Sequence, residues 1–326
     1  MRRKFIALAT FATVALVFTA LAAAVAFGGP EPIAPLASIN DPFARVDFST
    51  VPPASRYTAR DGTALAWLRY PAAGIATGNA AAARRVVLVH GSSARARSLH
   101  VLAGALAATG LDVAVLDMRG HGDSGPRGHA AYIGQLEDDI EDFMRAIPHA
   151  GPTTLAGFSS GGGFVLRFAG STRQDLFDRY VLLAPFLHHN APTNMPNNGG
   201  WVSVGLPRMI AVTLLNVAGI SSWNHLPVLR FGLNDAARQF LTPSYDFTLA
   251  TNFRPHDDYQ ADIRNAKRPM RVVAGRSDEL FDASKYAAAF EAAGRVVPVT
   301  VVEGSTHMGL TLDSAAVQVV ARAFVP

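Results

Sequence analysis

The segment of this chain best suited to chemistry is Gly157-Phe158-Ser159-Ser160-Gly161. It has the form G-x-S-x-G and joins a short apolar run, Thr153 to Phe158, to a glycine-rich stretch of helical character, Gly162 to Ala169. A serine on a sharp strand-to-helix turn projects its hydroxyl clear of the backbone, and such a turn accepts only glycine where its two arms approach. Ser159 has glycine two positions away on both sides, whereas Ser160 has Phe158 and Gly162 there. Ser159 is therefore the candidate nucleophile, and Ser160 is placed to offer its backbone N–H. A hydroxyl attacks poorly at neutral pH unless a base takes its proton and a carboxylate holds that base in the correct tautomer.

The elements that must position these groups follow from the pattern of the chain. Tyr57 to Arg60 and Ala64 to Tyr70 flank Asp61-Gly62 and read as a hairpin. Val86 to Val89, Leu111 to Leu116, Thr153 to Phe158, Tyr180 to Leu183, Arg271 to Ala274 and Val297 to Val302 are short apolar runs. Between them lie stretches of helical pattern, Ser98 to Ala108, Tyr132 to Ile147, Gly162 to Ala169 and Ala283 to Ala293, with a last one from Leu312 to Phe324. Continuous apolar strands alternating with helices predict an α/β fold, a mostly parallel sheet covered on both faces. Asp278 lies four residues past Ala274 and His307 five past Val302, each just beyond a strand. Asp278 is the candidate acid, with Glu279 and Asp282 as neighbouring alternatives, and His307 is the candidate base. His90-Gly91-Ser92-Ser93 follows the first strand of the alternating series, so the amides of Ser92 and Ser160 are the candidate donors to an oxyanion, and His90 reads as structural.

The composition excludes several other chemistries. The chain has no cysteine, which removes disulfides, thiolate metal sites and cysteine nucleophiles. His188 and His189 are adjacent but have no carboxylate or third histidine at ligand spacing, so they read as loop residues and no metal is expected. Of the formal net charge of +4, Arg2, Arg3 and Lys4 supply three, which leaves the remainder nearly neutral. No basic stripe interleaved with aromatics follows, and nucleic acid is not an expected partner.

Taken together, His90-Gly91, Asp117-Met118-Arg119-Gly120-His121-Gly122-Asp123-Ser124, Gly157 to Gly161, Gly275-Arg276-Ser277-Asp278 and His307 resemble the α/β-hydrolase superfamily. More narrowly they resemble its lysophospholipase, monoacylglycerol lipase and serine aminopeptidase branch. The resemblance covers about Tyr57 to Leu187 and Arg271 to Val325. It implies ester or amide hydrolysis through an acyl-enzyme without a cofactor, and it implies that the 119–124 run is a structural turn.

Two regions lie outside that resemblance. The 82 residues from His188 to Pro269 interrupt the sheet pattern and are expected to form a helical lid, in which Met209, Ile210, Val212, Leu214 and Leu215 are candidates to line an acyl pocket. At the amino terminus, Phe5 to Phe27 carries no charge, long enough for a membrane span, while Ala24-Val25-Ala26 offers a signal-peptidase site. Either reading exports everything after Phe27, because the basic flank stays in the cytoplasm. Residues 28–54 hold six prolines and read as an extended tether, followed by a hydrolase core of 55–187 and 270–326. The expected function is hydrolysis of a lipid-like carboxylic ester. The alternatives are a serine aminopeptidase, which needs acidic lid groups such as Asp235, Asp246, Asp257, Asp258 or Asp262 near the substrate ammonium, and a silent scaffold used for binding.

Overall fold

The computed structural model describes residues 2–74 and 83–324. Met1 of the expected anchor and the last two residues of the expected core lie outside them. The described residues form eleven strands in two sheets: β1 (Ala54–Thr58), β2 (Ala64–Tyr70), β3 (Arg85–Val89), β4 (Asp112–Leu116), β5 (Thr153–Phe158), β6 (Arg179–Leu183), β7 (Val202–Val204), β8 (Pro227–Phe231), β9 (Ser244–Asp246), β10 (Met270–Gly275) and β11 (Val299–Val302).

The main sheet has eight strands in the order β1-β2-β4-β3-β5-β6-β10-β11. β1 and β2 form the antiparallel hairpin, β2 also runs antiparallel to β4, and every later pairing is parallel. β3 and β4 are buried along their whole length, as continuous apolar strands covered on both faces must be. The helices His100–Ala108, Gln135–Ala146, Ser160–Ala169, Tyr286–Ala292 and Ser314–Arg322 supply the cover. This is the α/β-hydrolase architecture that the motifs led us to expect.

Helix ends shift where local geometry decides. The helix expected from Tyr132 begins at Gln135, because Gly134 takes φ 101° and its amide is held by Asn252 Oδ1 at 2.6 Å. Only glycine adopts that conformation without a Cβ clash.

Two regions carry more local structure than the sequence suggested. The 188–269 insertion is not purely helical: β7, β8 and β9 form a small antiparallel sheet inside it, beside the helix Leu206–Val217. Strands of three to five residues are too short to show a period of two in the sequence. Residues 28–54 do not form a free extended tether either. Ala37–Asn40 is a helical turn and Asp41–Arg45 a 3-10 turn, with Pro42 near its start, where the missing N–H is not needed. The segment docks on the insertion, with Leu36 N–H donating to Gly232 O at 2.9 Å.

Among the described residues one helix, through Thr10–Phe27, is long and apolar enough to cross a membrane. Its last turn rests on the insertion. Arg208 Nε donates to Val25 O (2.8 Å) and Nη2 to Ala26 O (2.9 Å), satisfying carbonyls that a helix end leaves open.

Candidate active site

Ser159 sits between β5 and the helix Ser160–Ala169 at φ 57° and ψ −122°, a strained conformation for a side-chain-bearing residue. The surrounding glycines make the turn possible. A Cβ at Gly157 would stand 2.2 Å from Gly161 O, and one at Gly161 would stand 2.2 Å from His90 O. Both clashes are with backbone, which has nowhere to move. Ser160 opens the helix, so its amide is one of the four without an intrahelical acceptor.

Asp278 follows β10 and His307 follows β11, and the two side chains meet: His307 Nδ1 lies 2.8 Å from Asp278 Oδ2. The other carboxylate oxygen accepts from the amides of Leu280 (2.8 Å) and Phe281 (3.0 Å), so the carboxylate is gripped at both oxygens. Both residues are buried. The alternatives to Asp278 are engaged elsewhere, Glu279 Oε2 with the backbone N–H of His307 (3.1 Å) and Asp282 with Ser284. The His307 ring packs against Phe158 (4.6 Å between centroids) and Phe281 (5.3 Å).

Ser159 and His307 line one pocket, together with Gly91, Ser92 and Ser93 from the loop after β3. Its walls are otherwise mainly apolar and come from four parts of the chain: Leu99, Phe158 and Met308 from the core, Trp201 and Leu241 from the insertion, Leu280 after β10, and Ile39 with Phe43 from the amino-terminal segment. Among the described residues no carboxylate lines it.

The loop after β3 is fixed by groups far away in sequence. Ser93 takes φ 66°; its N–H donates to Tyr245 Oη at 2.5 Å and its hydroxyl to Thr242 O at 2.7 Å. Tyr245 Oη also lies 2.5 Å from His121 Nε2, whose other ring nitrogen faces Arg119 O. With Nδ1 protonated, His121 accepts from the tyrosine, and the tyrosine is then free to accept from Ser93. Burial, and the adjacent His90, hold the His121 pKa well below the usual histidine value. His90 is likewise lowered by burial; it accepts the Met118 amide at Nε2 (3.2 Å), the structural role expected of it. Ser92 accepts from the Trp201 indole N–H at 2.9 Å.

The 119–124 run is a turn closed by Gly120 N–H to Ser124 O (2.9 Å) and pinned by Arg119 to Asp139 (2.7 Å). Tyr245, Trp201 and the two amino-terminal pocket residues were not foreseen as site residues, since no local motif marks them, and His121 was read only as part of the structural 119–124 turn.

Other candidates fall away from the site. On the helix Leu206–Val217, Val212 is buried in the packing of the insertion while Ile210 and Leu214 are exposed, and none of the five apolar residues named from sequence lines the pocket. His188 stacks on His189 and Tyr259. Of the insertion's aspartates, Asp246 and Asp258 cap helices, Asp257 pairs with Arg254 and Asp262 with His256, and Asp235 opens a helical turn.

Comparison with known proteins places this geometry. The family model described as serine aminopeptidase, S33, matches residues 80–313. A monoacylglycerol lipase of Mycolicibacterium smegmatis is 35% identical over 106 residues, 31% of this chain but only 37% of that protein. Among solved structures, a soluble variant of monoglyceride lipase from Saccharomyces cerevisiae aligns with a TM-score of 0.64 at 18% identity, covering 86% of this chain and 96% of that one. A bacterial membrane phospholipase A aligns with a TM-score of 0.55 at 15% identity, covering 99% of this chain and 97% of that one. At such identities the structural likeness carries the fold alone, whereas the family model spans most of the chain and all the motifs from His90 to His307. The chain belongs to the serine aminopeptidase S33 family of α/β-hydrolases.

Proposed function

We propose that the protein is a serine hydrolase that cleaves carboxylic esters of lipid-like character, of lysophospholipase or monoacylglycerol lipase type. The observation that carries this reading is the His307 Nδ1 to Asp278 Oδ2 contact of 2.8 Å at the wall of a pocket that Ser159 shares. Ser159 Oγ attacks the ester carbonyl as its proton passes to His307 Nε2, and Asp278 stabilises the imidazolium without taking the proton. The amides of Ser92 and Ser160 receive the oxyanion, each such donor contributing about 3 kcal/mol to the transition state. Collapse breaks the acyl C–O bond, His307 returns the proton to the departing alcohol, and water then releases the acid by the same route in reverse.

The apolar walls favour a hydrocarbon chain over a charged group. An aminopeptidase must neutralise a substrate ammonium, and the absence of any carboxylate from the pocket lining weighs against that activity. The monoacylglycerol lipase relative points the same way.

The amino-terminal helix is read as a retained anchor that holds the exported body at the membrane. Ala24-Val25-Ala26 lies within the helix, Val25 is buried, and Arg208 holds the carbonyls of Val25 and Ala26. Cleavage there would remove part of the packing of the insertion. A mass of the native protein lacking the first 26 or 27 residues would contradict the anchor.

The activity is tested with a fluorophosphonate probe and p-nitrophenyl esters on the wild type and Ser159→Ala. Labelling and turnover in the wild type, both lost in the variant, are expected. Labelling that persists in the variant overturns the assignment of Ser159, and a wild type that neither labels nor turns over favours a silent scaffold.

A further inference from the structure

We propose that the segment before the hydrolase core is part of the substrate site, with Ile39 and Phe43 forming one wall of an apolar subsite that holds the hydrocarbon chain of the ester; this rests on the esterase reading above. Both residues line the pocket that contains Ser159 and His307. They belong to the turns Ala37–Asn40 and Asp41–Arg45, upstream of residue 80 where the family match begins. The wall therefore comes from a segment that precedes β1 and lies outside the main sheet.

The segment is built to stay in place. Asn40, itself buried, donates from Nδ2 to Leu36 O (2.7 Å) and Gly232 O (2.8 Å), and its Oδ1 accepts from Asn234 N–H (3.0 Å). One side chain thus ties the turn to itself and to the insertion. Two glycines of the insertion admit the incoming backbone: a Cβ at Gly232 would lie 2.8 Å from Ala34 O, and one at Gly205 would lie 2.6 Å from Pro30 N. Ile39 is only 8% exposed. A β-branched side chain has few rotamers, so it presents a firm surface and its size is read directly by whatever lies against it.

Apolar slots discriminate chain length because each methylene that fits is favourably removed from water and each that does not must distort the wall or stay in water. The decisive experiment uses the full chain and the variants Ile39→Trp, Ile39→Ala, Phe43→Ala and Asn40→Ala. One arm measures kcat/KM for p-nitrophenyl esters from acetate to laurate, varying the acyl chain; a second uses alkyl acetates of the same lengths, varying the alcohol. In one arm, Ile39→Trp is expected to shift the ratio of long-chain to two-carbon ester at least tenfold against the long chain. In the same arm, Ile39→Ala and Phe43→Ala are expected to move the preference to longer chains. The arm that responds identifies which side of the ester the wall contacts. Asn40→Ala, which frees the segment without altering the wall, is expected to flatten the preference.

A third arm separates this proposal from the esterase reading. In the Ser159→Ala background, binding of a fluorescent long-chain fatty acid is measured without catalysis, and Ile39→Trp is expected to weaken it about tenfold. Weakened binding in this background, together with a wild type that turns over no ester, would leave the wall standing and sink the esterase. Length profiles and fatty-acid binding that all agree with the parent within twofold, in folded variants, overturn the wall.

Discussion

The backbone amide of Ser93 donates to the hydroxyl of Tyr245, 152 residues away, at 2.5 Å. Because Tyr245 Oη also engages His121 Nε2, one hydroxyl from the insertion joins the loop after β3 to the 119–124 turn beneath it. The loop that carries Ser92 therefore depends for its shape on the insertion.

Tyr245→Phe removes that hydroxyl and leaves two buried partners unpaired. Each orphaned group costs about 1–3 kcal/mol, so the urea midpoint should fall clearly. The kcat for a short soluble ester should drop roughly tenfold or more, since an oxyanion donor must be held in place to act. A variant with wild-type stability and wild-type kcat would show that Tyr245 does not set the loop.

The three carboxylates near His307 are separable by substitution. Asp278→Asn takes away the acceptor of the imidazole N–H and should lower kcat by roughly 10³ to 10⁴-fold, the scale expected when the base loses its tautomer. Glu279→Gln keeps an acceptor for the His307 amide, and Asp282→Asn alters only a helix cap. Both should retain kcat within about threefold, as substitutions outside the proton path do. A deeper loss in either than in Asp278→Asn would reassign the acid.

The turn at Ser159 predicts opposite outcomes for two glycine-to-alanine changes. Gly161→Ala drives a Cβ against His90 O and Val89 O and should cost about 3 kcal/mol or more, because both obstacles are backbone. Gly104 lies within the helix His100–Ala108 with nothing near its absent Cβ, and Gly104→Ala should stabilise by about 0.5–1 kcal/mol. A denaturation midpoint for Gly161→Ala at or above that of the wild type would contradict the close approach at Ser159.

His90 and His121 give the fold a dependence on pH. Both pKa values are lowered in the folded protein, chiefly by burial, whereas in the unfolded chain they return to about 6.5. Their contribution is thus complete above about pH 6.5 and is lost as pH falls, because only the unfolded state takes up the protons. Each imidazole removes up to about 1.4 kcal/mol per pH unit within that window. Urea midpoints should decline between pH 7 and pH 5, and a flat profile would mean that neither ring is held neutral by the folded protein.

What was legible in the sequence is local. Runs such as Val86 to Val89 can only be buried strands, and glycines at 157 and 161 are required by a turn whose backbone arms nearly touch. Asp278 and His307 could be named as candidates, because a parallel sheet brings the ends of β10 and β11 to one edge whatever the helices between them do. That the Asp278 carboxylate faces the imidazole while Glu279 meets a backbone amide is set by the tertiary structure.

A lid was expected from the insertion, but which residues roof the pocket was not legible. Trp201 reaches Ser92 across 109 residues, and Asn40 reaches Gly232 across 192. A lone polar side chain in a loop carries no period and no motif, so its partner is set by packing rather than by its neighbours in the chain. The prolines of residues 28–54 spoke only for broken helix, and the structure used that irregular backbone to lay Ile39 and Phe43 against the pocket.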